Sequence, residues 1–136
     1  MTELVPGASL PPLETPPVGR LNVAYMAAAL RDPNPIHLDD GFAREAGLPG
    51  AIAHGTFTIG YMAAAVSRVA GIEAVRRLKV QLVAPVLVGD RLRVEGTVLA
   101  VAAVPGGREV RVGLTAVNQA GVTVGRGEAT ILLPES

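Results

Sequence analysis

The sequence predicts an α+β fold in which one long buried helix is laid on an antiparallel sheet. Residues 54–70 are apolar on nearly every face of a helix, which is typical of a helix buried on most sides. After residue 75 the pattern changes to alternating apolar and polar residues, which is typical of half-buried antiparallel strands. Helices followed by a run of strands are the order expected of this fold class.

The N-terminal 18 residues are predicted to be an extended lead-in with a short edge strand. Each proline fixes its own φ and has no N–H to donate to a sheet, so this segment excludes a helix or a continuous central strand. The five prolines are Pro6, Pro11, Pro12, Pro16 and Pro17.

A first helix is predicted over residues 23–31. Asn22 is a good N-cap residue, and the apolar residues after it recur at the spacing of one helix face. Pro33 cannot continue the helix and is expected to end it. The residues expected to face the core are Val23, Met26, Ala27 and Leu30.

A second, shorter helix is predicted from Asp39 to about Ala46. The Asp39 carboxylate can accept hydrogen bonds from the N–H groups of the first turn, and Gly47 suits the position after the last turn. Phe42 and Ala43 are expected to face inward.

The long helix is predicted from His54 to Ala70, where Gly71 ends it. Four meandering strands are predicted after it, with a bulge near Gly125 or Gly127 in the last one. The alternating segments are residues 78–84, 92–98, 110–116 and 122–133, and the turns between them lie at Gly89-Asp90, Gly106-Gly107 and residues 119–121.

Composition limits the class of protein. A chain of 136 residues suits one domain, residues 1–136, and its 49% apolar content suggests a buried subunit interface. Twelve Lys and Arg balance twelve Asp and Glu, which argues against nucleic-acid or membrane partners. With no Cys and two His, we predict no metal and no separate cofactor. The absence of a signal-peptide pattern or an apolar span predicts a cytoplasmic protein.

The segment Asp32-Pro33-Asn34-Pro35-Ile36-His37 is the first candidate site. Two prolines keep the residues before them out of the α region, so we predict a rigid, extended loop. A carboxylate and an imidazole held on a stiff loop can serve as an acid-base pair at neutral pH. The alternative is structural, because Asp before Pro is common in turns and a lone loop His is often only solvated. His54-Gly55 opens the long helix, whose first N–H groups lack helical partners, and this favours the catalytic interpretation.

Three blocks of the sequence resemble the MaoC-like (R)-specific enoyl-CoA hydratases, also called hydratase 2. They are residues 32–37 with Ala43, Ala53-His54-Gly55, and Ala84-Pro85-Val86-Leu87-Val88-Gly89-Asp90, in the family's order. The resemblance covers roughly residues 20 to 133. It implies a hot-dog fold, in which an antiparallel sheet wraps around one long central helix.

The resemblance also implies a reaction. Asp32 and His37 would hold a water for addition to a trans-2-enoyl thioester, and the Gly55 N–H would bind the carbonyl oxygen as charge develops. The residues leave open which of the two takes the first proton, and we assign Asp32 as the base. Asn34, His54 and Thr56 are candidates for substrate contact. Asn34 is also expected to hold the loop, and His54 to fix the turn into the helix.

One departure from the family concerns the central helix. Several relatives carry a Ser there that bonds the catalytic Asp, and this sequence has Ala63 at that place. Similar small residues resemble the catalytic subunits of heterodimeric hydroxyacyl dehydratases, so homodimer and heterodimer both stay open. Coenzyme A and an acyl carrier protein are both candidate carriers of the acyl chain. A hot-dog thioesterase is disfavoured because residues 54–72 contain no carboxylate, and a non-catalytic partner subunit is disfavoured because Asp32 and His37 are both present.

Overall fold

The computed structural model describes residues 3–135, so Met1, Thr2 and Ser136 of the predicted domain lie outside the described residues. The elements in chain order are β1 (Leu13–Glu14), α1 (Arg20–Leu30), α2 (Pro35–Leu38), α3 (Asp40–Glu45), α4 (Gly55–Ala70), a 3-10 turn (Ile72–Ala74), β2 (Val75–Leu82), β3 (Leu92–Val104), β4 (Gly107–Asn118) and β5 (Thr123–Pro134).

The sheet has five antiparallel strands in the order β1-β3-β4-β5-β2. The predicted edge strand in the lead-in is β1, and the predicted meander is confirmed for β3 to β5. It is wrong for β2, which pairs with β5 at the far edge instead of with β3. Residues 83–91 are too long for a hairpin turn, and they run back past the start of α4, where Ala53 N–H donates to Val86 O and Val88 N–H to Ala51 O.

The core lies between α4 and the concave face of the sheet. Thr58, Met62, Ala65 and Val66 are the buried residues of α4. The strands contribute the residues expected from their alternation, among them Val94, Val98, Val110, Val112, Leu114, Ala116, Ala129 and Ile131. The prediction of a helix buried on most sides is wrong for the single chain, because Thr56, Ile59 and Gly60 on the opposite face are exposed. The α+β class with a central helix is confirmed.

A β-bulge and a glycine of β5 lie where α4 packs on the sheet. Ala116 pairs with Gly125 and Val117 with Thr123, so Val124 is the extra residue of β5, next to the predicted position. A Cβ on Gly125 would lie 2.7 Å from Thr58 Cγ2 and 3.2 Å from Met62 Sδ. The first turns of α4 can therefore approach β5 only because residue 125 is glycine.

The two predicted N-terminal helices are present, with different ends. α1 begins at Arg20 after Gly19, whose backbone is extended at φ −85° and ψ 152°, so Asn22 lies inside the first turn and is not the cap. Val18 N–H donates to Asp90 O, which ties the chain to the segment that leads into β3, just before the helix begins. Of the residues expected to face the core, Val23 and Ala27 are buried and Leu30 is exposed.

α3 has the predicted cap, because the Asp39 carboxylate accepts the Phe42 N–H at 2.9 Å. Ala43 is fully buried as expected, whereas Phe42 is 46% exposed and does not face inward. A six-residue helix lying on the surface can bury only a narrow stripe, and Ala43 occupies it. No helix within residues 3–135 is long and apolar enough to cross a lipid bilayer.

Candidate active site

The loop that carries Asp32 and His37 is only partly extended. Residues 32–34 are non-helical as predicted, but Pro35–Leu38 form one turn of helix, α2, which corrects the prediction. Pro is favoured at the first position of a helix because its missing N–H would have no partner there. The Asn34 carboxamide caps the turn by accepting the Ile36 N–H at 3.2 Å. The turn brings His37 back towards Asp32.

Asp32 follows the C-terminal cap of α1. Arg31 adopts a left-handed conformation with φ +52°, and the Asp32 N–H donates to Ala27 O at 2.9 Å. This closes the helix and directs the chain away from its axis. The Asp32 side chain stays 48% exposed, and one of its oxygens accepts the Asn34 N–H at 3.4 Å.

His37 is buried and held by a backbone carbonyl. Its Nδ1 lies 2.7 Å from Ile52 O. A carbonyl oxygen can only accept, so Nδ1 carries the hydrogen. The lone pair of the neutral ring is then on Nε2, which lies 3.6 Å from Asp32 Oδ2. That distance is too long for a direct hydrogen bond.

His54 is brought to the same place by the start of α4. It is the N-cap residue, but its side chain does not cap the helix, and its ring stacks on His37 with the centroids 3.7 Å apart. Its Nε2 lies 3.3 Å from Asp32 O and 3.8 Å from Asp32 Oδ2. The carbonyl again requires a donor, so Nε2 of His54 carries its hydrogen. Asp32, His37 and His54 therefore form one cluster, which we call the Asp-His-His cluster.

The Asp-His-His cluster has the donor types of a metal site. One potential ligand atom from each residue lies within 4.8 Å of the others. The two rings are nearly parallel, with 23° between their planes, so their in-plane lone pairs do not converge on one point. The hydrogen on His54 Nε2 also occupies one potential ligand position. This arrangement favours acid-base chemistry, and the absence of a metal stays a prediction.

Gly55 begins α4 directly after His54. The N–H groups of a first helical turn have no intrahelical acceptor and lie at the positive end of the helix dipole. A Cβ on Gly55 would collide with Leu82 Cδ1. Glycine is therefore favoured here, because a side chain at position 55 would force Leu82 of β2 to move.

The other two predicted contact residues have different surroundings. Asn34 uses its side chain as the cap of α2, the structural role expected for it. Thr56 is exposed at the second position of α4, and its hydroxyl has no hydrogen-bond partner within residues 3–135. Substrate contact by Asn34, His54 and Thr56 stays a prediction.

A cavity of about 290 Å³ lies beside the start of α4. Its lining residues are Ile52, Ala53, His54, Gly55, Thr58 and residues 82–86. Sequence reasoning missed two contributions near it: the Ile52 carbonyl that holds His37, and Leu82 over Gly55. The block Ala84-Pro85-Val86 was a signal for the wall of this cavity, whereas a backbone carbonyl has no sequence signal.

Asp40 fixes the chain that leads to His54. Its carboxylate accepts the Ala51 N–H at 2.9 Å and pairs with Arg20 at 2.6 Å. The Ala51 N–H and then the Arg20 guanidinium lower the pKa of Asp40 below its usual value, because both stabilise the charged form. α1, α3 and the segment before α4 are thus tied together next to the Asp-His-His cluster.

Comparison with known proteins agrees with this architecture. The family model described as "MaoC like domain" matches residues 14–120. The R-hydratase PhaJ1 from Pseudomonas aeruginosa is 31% identical, with a TM-score of 0.83 over 98% of this chain and 84% of that one. The (R)-hydratase from A. caviae, described as involved in PHA biosynthesis, is 26% identical, with a TM-score of 0.85 over 96% of this chain and 98% of that one.

A third similar structure is the ChsH1-ChsH2 complex from Mycobacterium tuberculosis. It is 22% identical, with a TM-score of 0.82 over 96% of this chain and 99% of the matched chain, and it supports the fold alone. No match is found among curated proteins. The family model covers most of the chain, and the fold and the order of elements are those of the hot-dog structures. The chain therefore belongs to the family of MaoC-like hydratases and dehydratases.

Proposed function

We propose that this protein catalyses the reversible addition of water to trans-2-enoyl thioesters, giving (R)-3-hydroxyacyl thioesters. Coenzyme A enters only as part of the substrate, and no separate cofactor takes part. The observation that carries the proposal is the 3.6 Å gap between Asp32 Oδ2 and His37 Nε2. The similarity to two (R)-hydratases supports the stereochemistry.

The two atoms are close enough for one water molecule, lying beside them at roughly 2.8 Å from each, to donate to both. An ionised carboxylate and the bare Nε2 of His37 are both acceptors, so they cannot bond to each other. A water that bridges them from one side can give one hydrogen to each, which leaves its oxygen lone pairs free for C3 of the enoyl group. Asp32 takes the first proton, and His37 orients the water.

The proton balance needs only these groups. As the water oxygen bonds to C3, the water O–H bond whose hydrogen is donated to Asp32 breaks. The proton moves to the carboxylate, which becomes a carboxylic acid. Electrons move to the thioester oxygen, and Asp32 then passes the same proton to C2 on the same face. General acid-base help of this kind contributes roughly 10²–10⁴-fold.

The Gly55 N–H is the proposed donor to the developing enolate oxygen. It is a first-turn amide of a 16-residue helix, it follows His54 in the chain, and no acceptor for it is present in the described part of the chain. A preorganised donor of this type is worth about 3 kcal/mol in the transition state.

The decisive experiment is a stereochemically resolved assay of the purified chain on crotonyl-CoA and longer enoyl-CoAs. We expect the (R)-3-hydroxy product from the chain alone. Asp32→Asn and His37→Ala should each lower the rate by at least about a hundredfold while the fold persists. Glu45→Gln, an exposed carboxylate on α3, is the control and should keep full activity. Near-normal activity of either site variant would contradict the assignment.

A second candidate function is that of one subunit in a heteromeric hydroxyacyl dehydratase acting on carrier-protein-bound or polycyclic acyl chains. The exposed apolar residues on α1 and on the outer face of α4 favour a partner subunit. The fold is also shared with a chain of the ChsH1-ChsH2 complex. An inactive purified chain that gains activity with a second hot-dog subunit would select this function.

A further inference from the structure

The second histidine of the Asp-His-His cluster has no part in the proposed chemistry, yet it is the most enclosed of the three groups. The His54 side chain is 3% exposed, against 9% for His37 and 48% for Asp32. It is also the residue that joins the loop to α4. A buried polar ring at this junction needs a reason beyond filling space, because burying a polar group costs free energy unless it is hydrogen-bonded.

His54 is hydrogen-bonded to the backbone of Asp32, and its ring stacks on that of His37. Its Nε2–H donates to Asp32 O at 3.3 Å, a contact between residues 22 positions apart. Its ring plane lies against His37 at a centroid distance of 3.7 Å. At its edge, His37 Nδ1 is hydrogen-bonded to Ile52 O. The imidazole is therefore held by a carbonyl at its edge and by the His54 ring on its face.

Asp32 has few other restraints. Its carboxylate is half exposed, and its one hydrogen bond within residues 3–135, from the Asn34 N–H, is long at 3.4 Å. The peptide group that carries it follows a left-handed residue at a helix end. The donor from His54 is therefore the one side-chain hydrogen bond that ties the Asp32 main chain to α4 in the described part of the chain.

We propose that His54 is a positioning residue, whose Nε2–H holds the Asp32 carbonyl and whose ring holds the His37 imidazole, so that the 3.6 Å spacing between Asp32 Oδ2 and His37 Nε2 is kept. The inference rests on the proposed function and adds a third residue to it. In this role His54 exchanges no proton with the substrate. The hydrogen on Nε2 is retained through the reaction, and the buried Nδ1, which has no partner within residues 3–135, stays a bare acceptor.

The test uses two variants that separate the donor from the ring. His54→Phe keeps an aromatic face against His37 but loses the N–H. His54→Gln loses the ring but places an amide N–H the same number of bonds from Cβ. We expect His54→Phe to lower kcat by roughly tenfold to a hundredfold with KM little changed, since misplacing a catalytic group costs rate without removing substrate contacts.

His54→Gln should recover part of that loss, because the restraint on Asp32 is restored while the ring against His37 is still missing. Equal losses in the two variants, or a larger loss in His54→Gln, would overturn the proposed role of the donor. Full activity in His54→Phe would overturn it as well. Thermal unfolding of each variant checks that the fold persists.

A spectroscopic measurement tests the proposal without any variant. Long-range ¹H–¹⁵N correlations of the imidazoles should show the hydrogen on Nε2 of His54 and on Nδ1 of His37. The opposite tautomer at His54 would overturn the proposal even if the protein is an active hydratase. If the protein hydrates no enoyl thioester, this measurement still tests the hydrogen bond, so failure of the proposed function and failure of the His54 role are distinguishable.

Discussion

The Leu82 side chain limits the space available for a side chain at position 55. Its Cδ1 occupies the space into which a side chain at position 55 would project, and Leu82 itself is half exposed at the end of β2. Overpacking costs about 1–3 kcal/mol in a rigid core, and less here because the flexible Leu82 side chain can rotate away. The residue that supplies the proposed oxyanion amide, Gly55, therefore also packs against an edge strand.

We therefore expect Gly55→Ala to lower the free energy of unfolding by about 1 kcal/mol or less, measured by urea denaturation. Leu82→Ala combined with Gly55→Ala should restore part of that stability, because the colliding methyl group is removed. A double variant that is stable but inactive would show that the added methyl also blocks the substrate. No gain in stability from the second substitution would contradict the packing explanation.

For single residues, the sequence was most informative about side chains that can take part in acid-base chemistry. The motif from Asp32 to His37 and the pair His54-Gly55 could be recognised from residue types and spacing. The carbonyl of Ile52 could not, because every residue has one and its direction depends on the fold. The stacking of His54 on His37 was equally invisible, since it depends on where α2 ends relative to α4.

Short elements around the site depend on single polar side chains. α2 has one turn and its cap from Asn34, and the segment before α4 is held by Asp40. The prediction of an extended loop was wrong here because two prolines 2 residues apart allowed a helix to start at the second one. The longer elements were predicted well, since α4 and the alternating strands each repeat their pattern over many residues.

Asp40 should make stability depend on pH in the acid range. Its pKa is lowered in the folded state, so its contribution is present above the unfolded value of about 3.9 and is lost as the pH falls through the folded pKa. We expect the free energy of unfolding to fall below about pH 4. Asp40→Asn should be less stable at neutral pH and should show a weaker fall. An unchanged acid slope in the variant, followed by urea denaturation, would contradict this role.

Asp39→Asn is a matched control for that measurement. Asp39 is the neighbouring carboxylate and caps α3, but it does not contact Arg20 or the Ala51 N–H. Asn is also a good N-cap residue, so this variant should keep most of the stability of α3. It should leave the link between α3 and Ala51 intact.

Several large apolar side chains of the two longest helices remain exposed in the single chain. Leu21 and Tyr25 on α1 are 63% and 66% exposed, and Ile59 projects from the outer side of α4. Large exposed apolar side chains, when they cluster, mark interaction sites in folded proteins, and Leu21 and Tyr25 lie one helical turn apart on α1. This agrees with the expectation, from composition, of a buried subunit interface.

We predict that the purified chain is at least a dimer by light scattering at micromolar concentration. Tyr25→Glu should shift the mass towards that of a single chain, because a charge would be buried in the interface. Val122→Glu is the control, since Val122 is equally apolar and 48% exposed but lies between β4 and β5. A monomeric wild-type chain, or loss of the dimer in both variants alike, would contradict an interface on α1.

The sheet order could not be predicted from the sequence, because alternation identifies strands but not their neighbours. That order has a consequence for how the protein is made. A chain growing on the ribosome completes α4 and β2 well before β5, the strand with which β2 pairs. Until β5 has been made, β2 has no strand to pair with. The apolar face of α4 is also not fully buried until then, so we expect the domain to complete its folding only after the last strand is made. We expect fragments that stop before residue 123 to remain unfolded, and we expect the nascent chain to expose apolar surface that chaperones could bind during that interval.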